Sequence, residues 1–193
     1  SKVQFEDKQK VCPECGGEVP CGTMECPICG HEFTAPEAGE AGEGEGRETV
    51  SSVEMMEVDI LNASPFKWID LFGTSKVMIA SGFECWCAVI SPDGEHWSAL
   101  GKLKEERFVH RLQLGERIPC LAAADDFLRL NESDNAAKKN KAWLNHPATE
   151  KQMEYLYRFG YGAESQFAFT KYSAVCTMNF FFNQNLIERE IFQ

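Results

Sequence analysis

Four cysteines near the start of the chain carry the clearest chemistry in the sequence. Cys12-Pro13-Glu14-Cys15-Gly16 is followed, ten residues after its second cysteine, by Cys26-Pro27-Ile28-Cys29-Gly30-His31-Glu32-Phe33. Each Cys-x-x-Cys turn offers two sulfurs at a spacing that a tetrahedral metal accepts, and two such turns complete a four-thiolate zinc site. Pro13 and Pro27 fix φ within the turns, and Gly16 and Gly30 permit the positive φ that such a turn often needs. The expectation is one structural zinc ion held by Cys12, Cys15, Cys26 and Cys29. Rubredoxin-like iron uses similar knuckles and remains the alternative metal. Cys21 and His31 lie close by, but four thiolates already close a site, so both read as bystanders. A closed site leaves no position for substrate, which argues for a scaffold and against chemistry at the metal. The ribbon carries Glu14, Glu18, Glu25 and Glu32 and no Lys or Arg after Lys10. A structural role or a protein contact therefore fits it better than a phosphate contact.

The chain has nine cysteines in all. Clustering of four in two pairs favours metal over disulfides and a reducing compartment. Cys85, Cys87, Cys120 and Cys176 lie among apolar neighbours or turns and read as small core residues. Cys85 and Cys87 flank Trp86 at strand spacing and so share a sheet face, where a disulfide or a second metal site is the lesser alternative. His31, His96, His110 and His146 are scattered. Asp125-Asp126 is an acidic pair that a helix can use in its first turns; a small metal-dependent enzyme built on it is the remotest reading. The chain contains no P-loop, G-x-S-x-G elbow, H-E-x-x-H pair or dinucleotide fingerprint. The residues thus give no support to catalysis by this chain alone, and no small-molecule substrate is evident.

Two local basic stretches interrupt an otherwise acidic chain of net charge −11. Lys102, Lys104, Arg107 and Arg111 lie near Trp97, and Lys138, Lys139 and Lys141 lie next to Trp143. Basic residues beside an aromatic can track a nucleic-acid strand and stack its bases. The plainer reading is a solvated face over a core tryptophan. With this net charge, any nucleic-acid contact has to be local.

The elements that must position these residues fall into three regions. Residues 1–33 hold the zinc ribbon. Residues 34–53 are rich in Gly, Ala and Glu and too poor in large apolar side chains to offset their ordering entropy, so they read as a flexible acidic linker. Residues 54–193 read as an α+β domain, β-rich over about 54–117 and helical over about 118–193. Short strands are predicted at 76–80, 85–90, 96–100 and 107–114, with Asp93-Gly94 as a hairpin signal between the second and third. Helices are predicted at 120–130, at 134–145 and behind the Thr149-x-x-Gln152 capping box, which ends at Gly160. A last helix is predicted over 171–191, buried on more than one side at Phe180-Phe181-Phe182. No apolar run is long enough to span a membrane, and the first residues show no secretory h-region. The expected setting is the cytoplasm.

The C-P-x-C-G…C-P-x-C-G-x-E-F ribbon resembles the one that follows the two motor domains in many bacterial and phage superfamily II (DEAD/DEAH-box type) DNA helicases. Three downstream stretches are similar to the C-terminal extension of a subset of them: Ser64-Pro65-Phe66-Lys67-Trp68-Ile69-Asp70-Leu71-Phe72, Cys120-Leu121-Ala122-Ala123-Ala124-Asp125-Asp126-Phe127, and Ala148-Thr149-Glu150-Lys151-Gln152. The motor motifs are absent, so helicase activity is not carried over and only the zinc ligands map residue by residue. The resemblance implies a non-catalytic, zinc-stabilised accessory module, a fragment or free-standing relative of an ATP-dependent helicase. Such a module would position single-stranded or forked DNA, or a partner such as the motor domain. The rival expectation is an acidic protein-interaction adaptor or inhibitor, phage-encoded in one version, that does not bind nucleic acid.

Overall fold

The run Cys-Trp-Cys-Ala-Val-Ile at 85–90 has no polar residue at any alternate position, which suits a strand covered on both faces. The computed structural model describes residues 9–12, 15–20, 28 and 52–193, and the chain divides into two units, Ser1–Glu48 and Thr49–Gln193. The expected acidic linker falls largely outside the described residues. In the first unit, β1 (Gln9–Val11) and β2 (Glu18–Pro20) form an antiparallel pair in which Val11 faces Glu18.

The second unit opens with a helix, α1 (Ser52–Ala63), at the head of the stretch read as β-rich. Five antiparallel strands follow: β3 (Ile69–Asp70), β4 (Val77–Ser81), β5 (Cys85–Ile90), β6 (Trp97–Leu103) and β7 (His110–Gly115). They form a meander in sequence order, as expected of an α+β fold. The β5–β6 connection is set by Asp93, whose Oδ1 accepts from the backbone N–H groups of Glu95 and His96, while Gly94 takes φ +81°.

Period-two alternation then gives the sheet two buried faces. Met78, Ala80, Cys85, Cys87, Val89, Trp97 and Ala99 pack against α2 (Arg117–Asn131) and against Ile60 and Leu61 of α1. Ile79, Trp86, Ala88, Ile90 and Leu100 pack against Leu144, against Tyr172 and Cys176 of α4 (Lys171–Phe182), and against Ile187 of α5 (Gln184–Ile191). Helix α3 (Glu150–Arg158) packs against α4, and its capping box forms as expected, with Thr149 and Gln152 each accepting from the other's backbone N–H. Gly160 takes φ +102° two residues past its end.

Three helical expectations are corrected. Helix α2 begins three residues earlier than expected, because Pro119 falls in the first turn, where its missing N–H has no intrahelical partner to lose. Residues 134–145 form two 3-10 turns, Asn135–Ala137 and Ala142–Asn145, instead of a helix. The Asp134 side chain accepts from Ala136 N–H, and Lys139 N–H donates to the Pro65 carbonyl, so local and distant partners outcompete the helical ladder. The last helix is broken at Asn183, whose side-chain amide donates back to the Asn179 carbonyl. Helix α4 is buried on two sides as expected, Tyr172 and Cys176 against the sheet and Ala174 against α3, but Phe182 is 56% exposed. Among the described residues no helix is long and apolar enough to cross a membrane.

Candidate nucleic-acid interface

The connection from α1 to β3 is held by a buried carboxylate. Asp125 Oδ1 accepts from Ser64 Oγ at 2.5 Å and from Trp68 Nε1 at 3.3 Å, and Oδ2 accepts from Arg129 Nε at 2.7 Å. Both oxygens are engaged. The Tyr172 hydroxyl donates to the Lys67 carbonyl and accepts from Ser81 N–H, tying α4 to the same connection and to β4.

A second carboxylate fixes the hairpin between β4 and β5. Gly82 N–H donates to the Cys85 carbonyl, and Glu132, at the end of α2, accepts from Glu84 N–H at 2.7 Å and from Asp134 N–H at 3.2 Å. A Cβ on Gly82 would run into that carboxylate, so glycine is required for this close approach. The hairpin places Phe83 against Trp143, with ring centroids 5.5 Å apart and planes at 24°. Trp143 is itself fixed by Nε1 donating to the Ala136 carbonyl at 2.7 Å. Phe83 remains 42% exposed.

Beside Phe83 opens a cavity of about 300 Å³, lined among others by Trp86, Lys102, Lys104, Asn179 and Asn183. Lys102 lies directly across from Trp86 in the β5–β6 register, on the sheet face that α4 covers. The lining includes no carboxylate. Among the described residues, neither Lys102 nor Lys104 forms an ion pair.

The basic residues singled out from sequence are thus divided. Lys102 and Lys104 share the cavity. Arg107 is exposed in the β6–β7 loop. Arg111 donates to the Glu190 carbonyl at 2.8 Å and pairs with its carboxylate at 3.4 Å. Lys139 donates through Nζ to the Asn62 carbonyl, which turns it toward the end of α1. Lys138 and Lys141 flank the 3-10 turns and form no ion pair among the described residues. Trp97, read from sequence as the neighbour of the first cluster, is buried on the opposite face from Lys102, with Arg117 stacked 4.4 Å over its ring. The aromatic beside the lysines is Phe83, which was missed because its partners lie 19 to 60 residues away in sequence. Through Trp143 it links the cavity to the Lys138–141 stretch.

The family model for the C-terminal domain of the mitochondrial helicase Irc3 matches residues 48–193. The chain belongs to this family. Neither curated proteins nor solved structures give a match.

Within the matched residues, the three stretches that resemble helicase extensions are structural. Two of them meet where Ser64 and Trp68 donate to Asp125, and the third is the capping box of α3. The core cysteines are unbridged thiols. Burial, reinforced by Glu132 and Glu84, pushes Cys85 up to about 12, and burial likewise raises Cys87, Cys120 and Cys176. Cys85 and Cys87 do share a sheet face, but as protonated core residues, not as a disulfide.

The cysteine pairs lie outside the family match. Cys26 and Cys29 fall outside the described residues, as do Cys21 and His31. The first knuckle fits a metal. Gly16 N–H donates to the Cys12 carbonyl at 2.8 Å, Cys12 N–H donates to the Gly17 carbonyl at 2.9 Å, and Gly16 takes φ +69°. A Cβ on Gly17 would run into the side chain of Ile28, one of the two residues between Cys26 and Cys29 in sequence. No cluster of three or more possible metal ligands occurs among the described residues, which include only two of the four cysteines.

Proposed function

We propose that this chain is a non-catalytic accessory module of a superfamily II helicase, of the bacterial and phage kind that its ribbon resembles. It positions single-stranded or forked DNA for a motor that supplies ATP hydrolysis. The observation that carries this reading is the pairing of Lys102 and Lys104 with an exposed Phe83 in a helicase C-terminal domain. Arg107, Lys138 and Lys141 extend the contact. The charge distribution agrees. Residues 49–193 hold 15 Lys and Arg against 19 Asp and Glu, whereas residues 1–48 hold 4 against 11. In the larger unit Glu57, Asp125 and Glu190 are paired with arginines and Glu132 is taken by backbone N–H groups. Binding of forked and single-stranded DNA, measured against salt, tests the reading. Affinity should fall as salt rises. No binding at low salt, with or without a motor domain, leaves the acidic adaptor as the surviving account.

The ribbon is proposed to hold one structural zinc ion through Cys12, Cys15, Cys26 and Cys29, supported by the fit of the first knuckle and by the approach of Ile28. Zinc there supplies folding energy to a segment with little core of its own. Native mass spectrometry should find one zinc per chain, lost in Cys12→Ser. Full metal content in that variant would show the ligand set to be wrong. The unbridged core thiols support a reducing compartment. The cytoplasm is the reading carried from the sequence, and the mitochondrial setting in the family's description is its alternative.

A further inference from the structure

We infer that the cavity beside Phe83 is a docking site for one unpaired nucleotide of a single-stranded nucleic acid, with its base on the Phe83 ring and its flanking phosphates on Lys102 and Lys104. The inference rests on the nucleic-acid reading above and sharpens it. Phe83 has one face against Trp143 and is still 42% exposed, so ring surface is left for a base. Stacking of this kind tolerates any base, because every base has a π-face. Bases in a duplex have both faces covered by their neighbours and cannot use such a ring without leaving the stack. A volume of about 300 Å³ lies at the lower end of small-ligand sites and suits a nucleotide, not a duplex.

Polar groups complete the lining. Asn183 Nδ2 donates to the Asn179 carbonyl, a role only the amide nitrogen can fill, which leaves Asn183 Oδ1 as an acceptor. Asn179 Nδ2 donates to Ser81 Oγ at 3.0 Å, which fixes that side chain at the cavity wall. These amides offer hydrogen bonds to a base edge. Glu132, at the end of α2, is taken by the Glu84 and Asp134 N–H groups, and the exposed Glu84 beside Phe83 stands outside the lining. An anion approaching the lysines therefore meets no unpaired acid in the lining.

The test is fluorescence anisotropy with the full 193-residue chain and a labelled oligothymidylate, a duplex of mixed sequence, and a poly-glutamate peptide of matched charge. Single strands should bind more tightly than duplex or peptide. Phe83→Leu should weaken single-strand binding roughly 5- to 100-fold with little change in salt dependence, and Phe83→Tyr should keep it. Lys102→Gln with Lys104→Gln should lower the slope of log affinity against log salt by about 0.7 per charge removed. Urea midpoints of all variants check that the fold is intact, and the lysine pair gives an independent reading should Phe83→Leu loosen the hairpin. A wild-type chain that binds strands but loses nothing in either set overturns this site and leaves the module reading standing. Equal affinity for duplex, or for the peptide, with no effect of Phe83→Leu also overturns it. A wild-type chain that binds no nucleic acid removes both.

Discussion

The two faces of the β3–β7 sheet are closed by different means. On the α2 side, apolar packing is joined by a buried polar centre in which Asp125 gathers Ser64, Trp68 and Arg129. On the α4 side, the apolar layer stops at Trp86, and beyond it Lys102, Asn179 and Asn183 border an open cavity. The residues that resemble other helicase extensions sit mostly at the closed face. Those best placed to touch a ligand sit at the open one and form no motif. In this fold, resemblance in sequence follows architecture, and the binding surface has to be read from what the architecture leaves uncovered.

Removing Asp125 is the strongest way to break that contrast. Asp125→Ala would leave the Ser64 hydroxyl and the Trp68 indole N–H without this acceptor, and Arg129 with the Ala63 carbonyl but no carboxylate. The expected loss is about 3 kcal/mol, discounted for the partial exposure of Arg129. It should show as a lower urea midpoint with an unchanged slope. Asp125→Asn, which keeps one acceptor oxygen, should lose less. Single-strand binding by the folded variant should be unchanged. A loss below about 1 kcal/mol would show that apolar packing alone closes this face.

Much of the fold was legible because its signals are local. The apolar run at 85–90, the Asp93-Gly94 turn and the Thr149/Gln152 box each act over a few residues, and each appears where expected. Helix α1 and the short β3 were missed. The first carries Met55, Met56 and Val58 on exposed positions, which blurs its period, and the second has only two residues. The 134–145 stretch was misread because its conformation is set by partners at Pro65 and Asn62. The candidate site was legible only in part. Lys102 and Lys104 were visible as charge, but Phe83, Asn179 and Asn183 join them only through the hairpin and α4.

Gly82 lies where the β4–β5 hairpin that carries Phe83 meets the end of α2. Gly82→Ala would force the Glu132 carboxylate away from Glu84 N–H. The expected cost is about 1–2 kcal/mol, from a lost hydrogen bond to a charged acceptor. The same change should shift Phe83 off Trp143 and lower single-strand affinity, so one substitution should register in both a urea melt and an anisotropy titration. A stability loss with unchanged affinity would detach the hairpin from the binding surface.

The smallest effect is expected at the far end of β5, where a polar contact belongs to neither face. His96 and Asp93 are paired at 2.6 Å but both side chains are well exposed, at 84% and 50%. The hydrogen bond and charge of Asp93 raise His96 above its ordinary 6.5, while backbone and side-chain hydrogen bonds from His96, with that from Glu95 N–H, hold Asp93 well below the usual carboxylate range. The signs follow from linkage. The His96 contribution is fully present below about pH 6.5 and fades as pH rises through its raised folded value. That of Asp93 is present above about pH 4, the ordinary carboxylate value, and is lost as pH falls through its lowered folded value. His96→Gln should therefore lower the melting temperature slightly at pH 5.5 and hardly at all at pH 8.5. A large drop, or one equal at both pH values, would mean that an exposed pair holds this sheet as firmly as the buried Asp125 centre, and the contrast between closed and open surfaces would lose its energetic basis.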